Sequence, residues 1–180
     1  VRSRRQRQMC IRDRHHVPPH LHNAIELVYV TKGELELGVG YELYHMEKGD
    51  FAVVFPDLIH HYQVFSKESN EVYQIYASLE LSGPFMALLQ KKCPENPVIK
   101  KENLPYEIKN SLECLISGEK VNEIVGQAYL QIILYQCNNM LQFIEKDRVG
   151  SNDLIYSVMT YLLSHFQEEL TLGSVAEALG

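Results

Sequence analysis

Four side chains in the first third of the chain carry ligand chemistry: His20, His22, Glu26 and His60. His20, His22 and Glu26 share even parity, and on an extended strand such residues project to one face. His60 comes from a later strand and is placed to close the set. Three imidazoles and one carboxylate suit iron, manganese, nickel or zinc. Without a metal, the same groups line a pocket for a small polar ligand, with Glu26 accepting from a ligand hydroxyl. Tyr29, Tyr44, Tyr62, Tyr73 and Tyr76 lie in neighbouring apolar segments, where rings fill strand faces or stack on a sugar or aromatic ligand. His15, His16, His45 and His61 are expected at the surface or rim.

The elements that must position these groups are strands. Pro18-Pro19 holds the approach extended. Ala24 to Thr31 is rich in β-branched and aromatic residues, Lys32-Gly33 is a turn, and Glu34 to Val39 alternates with period two. Tyr41 to Met46 alternates again after Gly40. Glu47-Lys48-Gly49-Asp50 turns into the apolar run Phe51 to Phe55, which Pro56-Asp57 ends. His60 to Phe65 and Glu71 to Leu81 complete a series of short, closely spaced strands. Such a series predicts an antiparallel barrel or sandwich over residues 15–81.

The period then changes. Ser82 is the expected N-cap of a short helix, Phe85 to Lys92. Cys93 to Pro105 reads as a loop with three prolines. Tyr106 to Ser117 reads as a helix stopped by Gly118, and Val121 to Lys146 as one long helix. That long segment has apolar residues on more than one face. Residues 82–147 are therefore expected to form a helical dimerisation region using Leu112, Ile116, Ile124, Ala128 and Ile132. Residues 148–152 read as a polar linker. Beyond it, Leu154 to Gln167 has a clean helical period, and Val175 to Gly180 opens a further helix too short to stand alone. The sequence therefore reads as cut at both ends.

Composition narrows the function classes. No apolar run approaches the roughly 18 residues of a membrane span, and no signal-peptide pattern of basic start, apolar middle and small-residue cleavage site is seen. Cys10, Cys93, Cys114 and Cys137 are scattered without a C-x-x-C pair, which points to free thiols in a reducing cytoplasm. Residues 1–14 hold six arginines without amphipathic period. Gln8 to Asp13 can be back-translated as CAG ATG TGT ATA AGA GAC, which resembles read-through of a sequencing-library adapter; the competing reading is a basic arm for nucleic acid. Without that stretch the basic count is 17 − 6 = 11 and the acidic count 23 − 1 = 22, so the net charge moves from −6 to about −11. A segment that acidic repels phosphate and is a poor nucleic-acid surface by itself.

The motif His20-x-His22-x3-Glu26-x6-Gly33 resembles the first cupin motif. Gly49-Asp50, Pro56 and His60 resemble the second, with Asp57 where glycine is usual and Val64 where asparagine is usual. With the helices, the linker and the run Leu170-Thr171-Leu172-x-x-Val175-Ala176-x-x-Leu179-Gly180, the chain resembles an AraC/XylS-type transcriptional regulator. The resemblance implies an α+β chain: a cupin-like barrel that binds a small effector, dimerising helices, then the start of a helix-turn-helix DNA-binding domain over 153–180. It implies a non-enzymatic role with no cofactor. The implied partners are a small-molecule effector (a sugar or related metabolite), a second copy, and promoter DNA for the full-length protein only. His20, His22, Glu26, His60, Tyr29 and Tyr44 are the expected effector-binding residues. The competing reading is a metal-dependent cupin isomerase or dioxygenase with His20, His22, Glu26 and His60 as ligands.

Overall fold

The computed structural model describes residues 7–12, 16–65, 69–117, 121–146, 158, 161, 162, 165 and 170–179. The expected linker at 148–152, Gly118 and most of the expected helix over 154–167 lie outside them.

Eleven strands are described: β1 (Arg7–Arg12), β2 (Val17–His20), β3 (Ala24–Lys32), β4 (Glu34–Val39), β5 (Glu42–Glu47), β6 (Phe51–Val54), β7 (His60–Gln63), β8 (Glu71–Ser78), β9 (Lys92–Pro94), β10 (Val98–Ile99) and β11 (Phe143–Glu145). One sheet has the order β1-β8-β3-β6-β10, a second β2-β7-β4-β5, and β9 and β11 form a small ribbon. All pairings are antiparallel. Two sheets packed face to face, with consecutive strands passing between them, make a jelly-roll of the cupin kind. The predicted strands over residues 17–78 all form, within a few residues of their expected ends.

Turn chemistry fixes the register. Gly33 holds φ +77° between β3 and β4, and a Cβ there would lie 1.8 Å from the Asn70 amide oxygen. That oxygen accepts from the Glu34 N–H at 2.7 Å, so the tight turn and the β8 entry are locked together. Asp50 does the same for the next turn. Its carboxylate accepts from the Glu47 and Lys101 amides and from Lys100 Nζ. Burial raises its pKa, but these bonds outweigh that and hold it below the ordinary value.

Four expectations of local structure change. Residues 1–14, read as adapter-derived and set apart from the fold, nevertheless supply β1, which pairs with β8 over Arg7–Arg12. A ladder recruits backbone groups, which a side-chain pattern does not report. Ser82 is no N-cap: it lies buried inside a 3₁₀ segment, Leu79–Phe85, and its hydroxyl donates to the Leu79 carbonyl at 2.6 Å. The helix proper, α1, is Met86–Lys91. The expected loop over 93–105 contains β9 and β10. The expected long helix is shorter: α3 runs Glu123–Met140, capped by Asn122 Oδ1 on the Ile124 N–H. Leu141 turns extended, and Phe143–Glu145 pairs with β9.

Helix α2 (Tyr106–Ile116) packs on α3, and α3 packs on the 3₁₀ segment, where Gln131 Nε2 donates to the Leu81 carbonyl. Ile108, Leu112 and Leu115 meet Leu130, Ile133, Leu134 and Cys137 in a core continuous with the sheets. Leu112 has 0% exposure, so it works inside the chain and cannot meet a partner, contrary to expectation. Ile116 is half-buried, whereas Ile124, Ala128 and Ile132 are exposed. No described helix is long and apolar enough to cross a membrane.

Candidate functional site

The register places the site between the two sheets. Glu26 on β3 stands opposite Tyr76 on β8 and Val54 on β6, and Val28 stands opposite Gln74. These residues therefore share one face of the first sheet. On the second sheet His60 lies opposite His20 of β2 and Val39 of β4, and Tyr62 lies opposite Leu37. Strand alternation thus brings His60 and Tyr62 across from Glu26.

The carboxylate is the centre. Glu26, His60 and Tyr62 have no measurable exposure. Glu26 Oε2 lies 2.9 Å from His60 Nε2 and 3.1 Å from His22 Nε2. Burial alone would raise the carboxyl pKa, but the bonds from His22 and His60 pull it down to about 2. Burial also lowers the His22 pKa, and Glu26 more than restores it, leaving it raised. His20, desolvated and beside other imidazoles, is lowered. Burial and the charge of Glu26 push the Tyr62 and Tyr76 phenols upward, so both remain protonated.

Backbone carbonyls orient the rings. Nδ1 of His20 donates to the Pro18 carbonyl at 2.9 Å, and Nδ1 of His60 to the Leu58 carbonyl at 2.8 Å. With those protons committed, both Nε2 atoms turn toward the cluster. Nε2 of His60 can donate to Glu26 only as an imidazolium; as a neutral ring it presents a lone pair. The second case suits a cation, and histidine ligands typically donate their other nitrogen in this way.

The donor set fits a metal ion. One ligand atom from each of His20, His22, Glu26 and His60 lies within 4.8 Å of the others. Ligands at right angles with bonds of about 2.1 Å stand about 3 Å apart, close to the two observed His–Glu separations. The four residues would hold the ion, which would supply Lewis acidity.

The wall around them is polar and unsatisfied. Among the described residues, the buried side-chain nitrogen and oxygen atoms lacking a hydrogen-bond partner are His22 Nδ1, Glu26 Oε1, Tyr62 OH and both amide atoms of Gln74. Such groups each cost about 1–3 kcal/mol when left unpaired. Their concentration in one place marks a surface built to meet something polar.

Two expected members do not join. Tyr29 has odd parity and shares the face of Leu27, away from Glu26 and toward Glu113 of α2. Tyr44 lies on β5, with β4 between it and β7, and its hydroxyl donates to the Glu95 carbonyl at 3.0 Å. Gln74 is a member that sequence reasoning missed. A polar residue between Tyr73 and Ile75 was a signal, but its direction depends on a register known only from the fold.

Two facing sheets with a buried polar cluster between them define a cupin-like ligand-binding domain. The chain belongs to the AraC-like ligand binding domain family, whose model matches residues 8–136. A comparison with curated proteins found no match. The solved structures to which it is similar include the cupin domain of Schizosaccharomyces pombe Cnp3, at 15% identity and TM-score 0.40, covering 43% of this chain and 59% of that one. An RmlC-like cupin from Methanocaldococcus jannaschii gives 18% identity and TM-score 0.39, covering 43% and 74%. Bacillus subtilis oxalate decarboxylase, whose Mn(II) centres have been described, gives 17% and 0.35, covering 39% and 20%. The chain thus spans about three fifths of the first and a fifth of the last. Likenesses at this level carry no functional argument.

Proposed function

We propose that this chain is the effector-binding and dimerisation part of an AraC-family transcriptional regulator, and that a small polyhydroxylated metabolite such as a sugar is the effector. The observation that carries the reading is the set of unpartnered buried atoms on His22, Glu26, Tyr62 and Gln74. Glu26 Oε1 accepts, Gln74 donates and accepts, and the Tyr62 hydroxyl does both. A ligand with several adjacent hydroxyls answers all three. Calorimetry against a panel of sugars and polyols tests this, with Glu26→Ala as control. Saturable binding lost in the variant is expected; equal binding by both proteins removes Glu26 from the pocket.

The exposed apolar face of α3 supports dimerisation. Ile124 is 76% and Tyr135 57% exposed, with Val125, Ala128 and Ile132 between them. The turns of a helix from 124 to 135 bring these side chains to one side. The C-terminal helix Leu172–Leu179 supports the DNA-binding assignment for the full-length protein. Thr171 and Ser174 cap it reciprocally, each side-chain oxygen accepting the other's N–H at 3.1 and 3.0 Å. Promoter contact would need recognition helices that follow this segment.

A second reading is favoured by the orientation of His20 and His60: a metal-dependent cupin enzyme. Elemental analysis of purified protein separates the two. Stoichiometric transition metal that is lost in His60→Ala and Glu26→Ala supports the enzyme.

A further inference from the structure

The turn Pro56-Asp57-Leu58 joins β6 to β7 and touches two otherwise separate places. Toward the cluster, the Asp57 N–H donates to the His22 carbonyl at 3.0 Å, and the Leu58 carbonyl accepts from His60 Nδ1. Toward the other side, the Pro56 carbonyl accepts from Lys146 Nζ at 2.6 Å. Phe55, just before the turn, lies against Phe143 of β11 with ring centroids 5.8 Å apart. Lys146 follows β11 directly.

Asp57 holds φ +60°, the one positive value at a non-glycine residue among the described residues. L-residues keep that conformation where surrounding contacts enforce it. Here the His22 carbonyl holds the amide from one side; on the other, burial lowers the Lys146 pKa and the nearby Asp57 charge only partly opposes it. Phe55, Leu58 and His60 are each at most 2% exposed. Packed groups of this kind do not absorb a displacement individually.

We propose that this turn is a relay: a ligand that repositions His22 or His60 shifts Asp57 and Leu58, and the turn passes the shift to Lys146 and β11. Its functional meaning rests on reading the cluster as the effector site. Coupling of this kind is reciprocal, so loosening the Lys146 end alters the cluster end by the same free energy.

Amide hydrogen exchange on the whole chain tests the relay without any effector. Lys146→Met removes the donor to Pro56 but keeps the apolar stem, and Lys146→Arg keeps a donor. His60→Ala removes the donor to Leu58. Lys146→Met is expected to speed exchange at the Asp57 amide about tenfold, with Lys146→Arg near wild type. His60→Ala is expected to speed exchange across Phe143–Glu145 several-fold, with the β4–β5 hairpin unchanged. Exchange at Asp57 within about twofold of wild type in Lys146→Met overturns the relay. If His60→Ala loosens the hairpin as well, the Lys146 pair decides alone. A chain that shows the relay but binds nothing from the sugar panel sinks the ligand reading and leaves the relay standing.

Discussion

Replacing Glu26 by glutamine removes the charge at the centre of the cluster while keeping its volume. The carboxyl sits at about 2 in the folded chain against an ordinary value of 4.5. That difference corresponds to about 3 kcal/mol of stability. The folded value is depressed, so the contribution is fully present above about pH 4.5 and fades as pH falls toward 2. Glutamine cannot ionise and carries none of it. Urea unfolding followed by circular dichroism should therefore show the variant about 3 kcal/mol less stable near pH 5.5. With a slope of about 1–3 kcal/mol per molar urea, the midpoint falls by 1 M or more. The gap should shrink below half by about pH 3, because wild type loses what the variant never had. His22 and His20 act in other windows. The raised His22 value adds stability that is present below 6.5 and lost as pH rises through the folded value. The lowered His20 value opposes folding below 6.5. The His22 contribution is constant well below 6.5, and the His20 contribution comes chiefly from burial that wild type and variant share, so neither produces the narrowing of the gap between pH 5.5 and pH 3. A gap that stays constant between pH 5.5 and pH 3 would refute this account of the carboxylate.

Other substitutions separate core, rim and surface. Leu112→Ala should cost about 2–5 kcal/mol in chemical unfolding, because its side chain is enclosed between α2 and the core. Ile132→Glu should leave unfolding within about 0.5 kcal/mol of wild type, yet weaken self-association at least tenfold in sedimentation velocity; unchanged association would rule out that face of α3. Tyr44→Phe should lose the bond to Glu95 and about 1 kcal/mol of stability, with ligand affinity in calorimetry unaltered. Tyr62→Phe should keep the fold and lower affinity for the same ligand about tenfold or more, since its hydroxyl is one of the unpartnered atoms.

Much of the site was legible because strand parity and spacing are local properties. His20, His22 and Glu26 fall on one face by counting alone, and His60 follows at a fixed distance from the Gly49 turn. The same counting excludes Tyr29, which has the wrong parity. Tyr62 shares parity with His60, so it was within reach. Gln74 was not, because which face of β8 turns inward is decided by its pairing with β3. The overlong helix fails for a different reason. Leu141, Phe143 and Ile144, with the polar Gln142 among them, suit a helix face and a half-buried strand alike. Asn138-Asn139 in the last turn was the available stop signal. The β9 partner that recruits Phe143–Glu145 lies some fifty residues earlier. The Arg7–Arg12 ladder was invisible for the related reason that only its backbone is needed.

Both sheets must also end somewhere, and three of their four open margins are blunted differently. The second sheet is bounded by β2, where Pro18 and Pro19 withhold amide protons, and by β5, where Glu42 and Glu47 project into solvent. On the first sheet, β10 is two residues long and offers almost no template. At these three margins another extended chain therefore finds no long, neutral ladder on which to grow. Of these defences the carboxylates of β5 are the one that acid can disarm, so fibrillar self-addition should begin along that margin when the protein is held at low pH.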